Sequence, residues 1–101
     1  MTGNIIDRFE VKGRAALEYG ASGTVVVFQH SPELRLPNSG DPVLLVRSDG
    51  WLYSGKAEDV RIETATSASG LFLRNLTTED VPIGSIVRWG DELRLFQSAV
   101  A

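Results

Sequence analysis

Val43-Leu-Leu-Val-Arg-Ser-Asp-Gly-Trp-Leu-Tyr-Ser-Gly-Lys56 is the stretch on which the reading of the fold depends. Asp49-Gly50 accepts the positive φ angles of a two-residue hairpin turn, and β-prone runs flank it on both sides. Residues 43–47 are therefore expected to pair with residues 51–56. A second turn signal, Gly90-Asp91, separates residues 85–89 from 92–97 and predicts a second antiparallel hairpin.

Outward from these hairpins, residues 8–11, 23–28, 60–66 and 71–75 are further strand candidates. Val60, Ile62 and Thr64 alternate with Arg61 and Glu63, which is the period of a half-buried strand. Gly23-Thr-Val-Val-Val-Phe28 is a β-branched run suited to a strand buried on both faces or central in its sheet. Pro32, Pro37 and Pro42, with Asn38-Ser-Gly-Asp41, break the stretch between into loop and tight turn, because proline lacks the ladder donor. Thr77-Thr-Glu-Asp-Val-Pro82 fits one helical turn capped by a threonine oxygen that accepts an early amide. No window shows sustained apolar spacing at three and four residues, and no repeat or linker divides the chain. The expected fold is all-β: a small antiparallel β-barrel, one domain over residues 1–101, with Val25, Val27, Val43, Leu45, Ile62, Leu71, Leu73 and Ile86 in its interior.

Composition narrows the function classes. The 101 residues suit one small domain and leave no length for a separate catalytic one. Hydrophobic residues make up 43% of the chain, yet no apolar run approaches the roughly 20 residues that span a bilayer. The start, Met1-Thr-Gly-Asn-Ile-Ile-Asp-Arg8, shows no basic segment followed by an apolar stretch and no small-residue cleavage site, so a cytoplasmic location is expected. Cysteine is absent, which excludes disulfides, thiolate metal sites and cysteine nucleophiles. Ten Lys and Arg against thirteen Asp and Glu give a net charge of −3, which disfavours non-specific nucleic-acid binding. Arg61, Arg74, Arg88 and Arg94 all fall in expected strands and read as solvated faces.

The segment Gly70-Leu-Phe-Leu-Arg-Asn-Leu-Thr-Thr-Glu-Asp-Val-Pro-Ile-Gly-Ser-Ile-Val87, with Phe9-Glu-Val11, Ser22-Gly-Thr-Val-Val26 and residues 36–46 upstream, resembles the second, β-barrel domain of the translational GTPases, as in elongation factor Tu. The likeness covers about residues 8–89 by strand order. The family's Leu-Arg-Gly is here Leu73-Arg74-Asn75. Gly23 and Gly84 would permit tight backbone where strands begin. In the family this domain helps hold the aminoacyl end of tRNA through an acidic residue, and Ala57 stands at the corresponding place, so that role is not carried over. A second departure is that residues 90–101 add a hairpin strand where the family continues into another domain, so the barrel is expected to act alone, with residues 92–97 paired to residues 85–89 as the cap of that edge.

Gly50-Trp-Leu-Tyr-Ser-Gly-Lys-Ala57 comes within one residue of a phosphate-binding loop. Ala57 supplies no hydroxyl for magnesium, and the motif needs a loop that opens a helix rather than a hairpin strand. His30 is the only histidine, so any histidine base or histidine-ligated metal would have to use it, and its loop setting gives no sign of a triad. Glu58-Asp59 and Glu79-Asp80 read as solvated turn acids; in a strand, adjacent side chains point to opposite faces. No catalytic residue, cofactor site or metal site is expected.

Aromatic residues remain as candidates for recognition. With a two-residue turn at Gly90-Asp91, Trp89, Val87, Arg94 and Phe96 share one strand face, and Leu93, Leu95 and Ile86 share the other. The first set is then either a small exposed patch that binds a partner or a face covered by a neighbouring segment. The expected function is a stand-alone, non-catalytic binding module for a protein, with ribosomal or tRNA contact as a further possibility. The alternative is an immunity-type inhibitor whose acidity steers it to a basic toxin or enzyme.

Overall fold

A computed structural model describes residues 1–31, 33–63 and 67–90. Among these residues seven strands follow one another as β1 (Thr2–Val11), β2 (Gly23–Gln29), β3 (Pro42–Val46), β4 (Leu52–Lys56), β5 (Glu58–Glu63), β6 (Ala68–Arg74) and β7 (Ile86–Trp89). A short helix, α1 (Arg14–Tyr19), precedes β2, and a 3-10 turn, Thr78–Asp80, precedes β7. All strand pairs are antiparallel, in the order β4-β3-β7-β1-β2-β6-β5. The all-β expectation holds.

The first hairpin forms where expected but closes differently. Arg47 N–H donates to Trp51 O, and Gly50 N–H donates to Arg47 O, both at 3.0 Å. Only Gly50 takes a positive φ, 88°, so the loop is a three-residue turn ending in left-handed glycine. Asp49 contributes its side chain instead: the carboxylate accepts from Trp51 N–H at 3.0 Å and from the Arg47 guanidinium. These bonds hold the Asp49 carboxyl below its usual pKa.

Strand β1 begins earlier than the sequence suggests, and this changes the C-terminal half of the sheet. Residues 2–4 of β1 pair with β7 on one side, while β3 pairs with β7 on the other. A strand inside the sheet has no free edge, so the expected hairpin between residues 85–89 and 92–97, and its role as an edge cap, do not stand. Residues 91–101, including Arg94 and Phe96, lie outside the described residues.

The core comes from alternate positions of these strands. Ile5, Val26, Phe28, Val43, Leu45, Leu71, Leu73, Val81, Val87 and Trp89 pack into one cluster. Four expected interior residues, Val43, Leu45, Leu71 and Leu73, belong to it. Strand β2 has the opposite phase to the expectation: Val26 and Phe28 point inward, and Val25 and Val27 are half-buried on the outer face. Ile86 is likewise half-buried, with Val87 inward in its place. Ile62 shares a cross-strand row with Ser69 and Phe28, but β5 is an edge strand and leaves it 50% exposed.

Trp89 is 3% exposed; its indole N–H donates to Arg35 O at 2.6 Å, and its ring centroid lies 5.4 Å from that of Phe28. Trp89 and Val87 are therefore core residues rather than an exposed patch. The outer face of β2 and β6 is partly roofed by α1, where Tyr19 stacks on Phe72 at 4.8 Å. Gly13, at a φ of 61°, precedes this helix, and left-handed Gly20 ends it. Six residues are too few to leave a readable helical period, so the sequence carries no signal for it.

Phe28 is fully buried, whereas Phe9 on the outer face of β1 is 56% exposed. Phe28→Ala should destabilise the domain by about 3–5 kcal/mol and Phe9→Ala by less than about 1 kcal/mol in urea unfolding. Equal losses would place β2 in the wrong register.

Candidate functional site at the β4–β5 corner

The two edge strands of the sheet, β4 and β5, are joined by one residue, Ala57. It is fully buried; its N–H donates to Asp41 O and its carbonyl accepts from Gly40 N–H, both at 2.8 Å. The chain thus crosses from one edge of the sheet to the other at a fixed point. Among the described residues no ladder joins β4 to β5.

Tyr53 bridges the opening beside this corner. A Cβ on Gly55 would stand 2.6 Å from the Tyr53 ring, so glycine is what lets the ring lie along β4. The Tyr53 hydroxyl then donates to Arg74 O at 2.9 Å. Arg74 Nε reaches the Glu58 carboxylate at 2.8 and 2.9 Å, and Arg61 Nε reaches Asp59 at 3.0 Å. Asp59 has a φ of 48°, and the β5–β6 register shifts between Glu58 and Arg61. This bulge breaks the alternation expected for the two acids, so Glu58 and Asp59 do not diverge to opposite faces. Both line a groove of about 670 Å³ with Tyr53, Lys56, Arg74 and Asn75, and both line a second groove of about 350 Å³ with Glu18, Tyr19 and Arg61. The reading of Glu58-Asp59 as independent turn acids is corrected by this geometry.

The charges of the site are largely compensated. Burial, reinforced by the Glu58 carboxylate, raises the Tyr53 pKa; burial and then Asp59 raise that of Tyr19. Hydrogen bonds to Glu58 and Asp59 raise Arg74 and Arg61 in turn. At neutral pH each of the two grooves therefore presents one neutral phenol and paired ions, a set of donors and acceptors in fixed places. Lys56, exposed at the groove's rim, has no ion pair among the described residues.

The near phosphate-loop maps onto a hairpin. Gly50 ends the β3–β4 turn, Lys56 ends β4, and β5 follows where the motif needs a helix. His30 Nδ1 lies 3.0 Å from Ser69 Oγ, a pairing 39 positions apart that no sequence signal indicated. Ser69 is 2% exposed, so its hydroxyl is withheld from solvent. Among the described residues no cluster of three or more His, Cys, Asp or Glu is placed to hold a metal ion, and no helix is long and apolar enough to cross a membrane.

The chain has only two tyrosines, both shifted upward, so its entire phenol titration should lie above the ordinary value near 10 in the folded state. A raised folded-state pKa stabilises below the unfolded value, and that contribution disappears as pH rises through the folded value. Ultraviolet titration should show delayed ionisation, and Tyr53→Phe should leave the protein less sensitive to alkali. A phenol titrating normally in the native protein would contradict the site geometry. Magnesium with ATP should give no calorimetric signal; micromolar binding lost in Lys56→Ala would reverse the reading of the near phosphate-loop.

Compared with known proteins, the chain matches no family model, no curated protein and no solved structure.

Proposed function

We propose that the chain is a non-catalytic binding module that engages a protein or ribosome-related partner through the groove at the β4–β5 corner. The observation that carries this reading is the groove itself. Its two carboxylates are each held by an arginine, its phenol, Tyr53, stays neutral, and its backbone is fixed by a buried corner. Such preorganised donors and acceptors favour recognition, since little side-chain freedom remains to be lost on binding.

The likeness to the second domain of the translational GTPases draws support from two backbone positions. Asn75 stands where the family's Leu-Arg-Gly places glycine, and its φ is 63°, the left-handed region that asparagine tolerates best after glycine. Gly84, at φ 93°, precedes β7 in the same manner. Ala57 faces the core, so the position matching the family's acidic residue presents no side chain to RNA. This argues for a protein partner ahead of the tRNA end.

The net charge of −3 favours a second reading, an immunity-type inhibitor of a basic toxin or enzyme. Affinity capture from a cell extract, with the full chain as bait, separates the two. Ribosomal or translation components support the module, and one stoichiometric basic protein supports the inhibitor. Either partner should be lost with Arg74→Ala, which frees Glu58 and removes one wall of the groove. Retention of the partner by a folded Arg74→Ala protein would remove the groove from the proposal.

A further inference from the structure

We propose that the outer face of β3 and β7 is a second contact surface, and that it docks an acidic amphipathic helix of a partner protein. This surface is separate from the groove at the β4–β5 corner and does not depend on it.

The strand registers define the face. Val43, Leu45, Val87 and Trp89 point into the core, so the residues that alternate with them point outward. Two neighbouring rows then cross four strands. One is Leu52–Val46–Ile86–Asn4, and the other is Ser54–Leu44–Arg88–Thr2. The first row is aliphatic from β4 to β7; Leu52 is 48% exposed, and Val46 and Ile86 are half-buried. In the second, Leu44 is nearly covered and stands opposite the exposed Arg88. Among the described residues α1 is the only α-helix, and it lies on the other outer face, where Tyr19 stacks on Phe72.

Charge indicates the occupant. Neither row contains a carboxylate, although acids outnumber bases thirteen to ten in the chain. Arg47, Arg61 and Arg74 each reach a carboxylate. The Arg88 guanidinium makes no hydrogen bond and no ion pair among the described residues. An unpaired arginine on a polar face needs only water, but Arg88 borders an aliphatic row, so a partner that covers the row must also meet the charge. A carboxylate does so. A phosphate backbone calls for several cations in sequence, and these rows supply apolar side chains instead.

Spacing favours a helix. Neighbouring strands lie about 4.8 Å apart, so Leu52, Val46 and Ile86 follow one another at nearly the interval of about 5–6 Å between side chains on one helix face. A helix laid along the row presents its apolar stripe there and an acidic residue at its border to Arg88. A second copy of this chain fits less well. Docking the face on itself offers Arg88 no carboxylate and joins two molecules that each carry a net charge of −3.

The test uses the full chain, isotope-labelled for NMR, and a helical peptide of about twenty residues, built on alanine with leucines along one face and glutamates along its border. Amide resonances should shift at Leu44, Val46, Ile86 and Arg88 and stay in place at Glu58, Asp59 and Asn75 of the groove. Alanine in place of the leucines should abolish binding. Arg88→Glu should weaken binding about threefold or more at low salt, and a peptide with lysines for glutamates should then bind the variant better than the original peptide does. Should the variant not fold, the lysine peptide on the unaltered protein tests the same contact. Net charge alone would favour that peptide, so tighter binding of the glutamate peptide reports the face itself. Tighter binding of the lysine peptide, shifts centred on the groove, or stronger shifts of the same rows by a single-stranded RNA oligonucleotide would each overturn the proposal. So would self-association through Val46 and Ile86, or nuclear Overhauser contacts from residues 91–101 to that row in the free chain.

Discussion

Ala57 is where the two ends of the sheet meet, and the arrangement of the molecule depends on its being small, buried and doubly hydrogen-bonded. A seven-stranded antiparallel sheet with β4 at one end and β5 at the other could lie open. Joining those strands through a single residue forces the sheet to curl until its ends are adjacent. The bonds from Ala57 N–H to Asp41 O and from Gly40 N–H to Ala57 O tie the corner to the loop before β3, so the turn is set by backbone rather than by exposed side chains. A larger side chain at this position would have to displace core atoms, which explains why alanine stands between Lys56 and Glu58.

Curling has a second requirement: inner faces must approach closely on the far side as well. Strand β1 bends through a register shift between Ile5 and Asp7, pairing with β7 before it and β2 after it. Gly3 sits against Phe28 so closely that a Cβ would stand 2.8 Å from the ring, and a Cβ on Gly23 would meet Phe72 at 2.7 Å. These glycines make room for two phenylalanines on opposite faces of β2 and β6. Phe28 fills the main core with Trp89, and Phe72 is covered from outside by Tyr19.

What the sequence made legible follows from the kind of signal each residue carries. Asp49-Gly50 located the first hairpin because left-handed glycine has few substitutes, although the loop length depended on where Asp49 sent its carboxylate. Val43, Leu45, Leu71 and Leu73 were assignable to the core because they stand in apolar runs, although Leu44 and Phe72 between them are buried on the other face as well. Alternation fails for β2, because Val25, Val26 and Val27 are identical and give no phase. The phase comes from Thr24, whose hydroxyl donates to Leu76 O at 2.7 Å, and from Phe28. The pairing of β7 was not legible at all. Trp89 and Val87 looked like a surface face because residues 92–97 offered an adjacent partner, whereas the strand actually pairs with residues 2–4, more than eighty positions away. Nor was the corner legible, since strand alternation separates Glu58 from Asp59 until a bulge brings them to shared grooves.

The same bulge shapes the site from the β5 side. Turning Asp59 into the left-handed region costs on the order of 1 kcal/mol or more for a residue other than glycine. The turn lets Asp59 meet Arg61 and leaves Glu58 to Arg74, so one distortion arranges two ion pairs and closes β5 to further pairing. Both pairs are largely solvent-exposed, and their direct contribution to stability is correspondingly small. Their larger effect is positional. With Arg74 engaged by Glu58, its carbonyl stays in reach of the Tyr53 hydroxyl, which ties β4 to the end of β6 across the groove. The two ion pairs and the tie from β4 to β6 thus depend on a single local irregularity in β5.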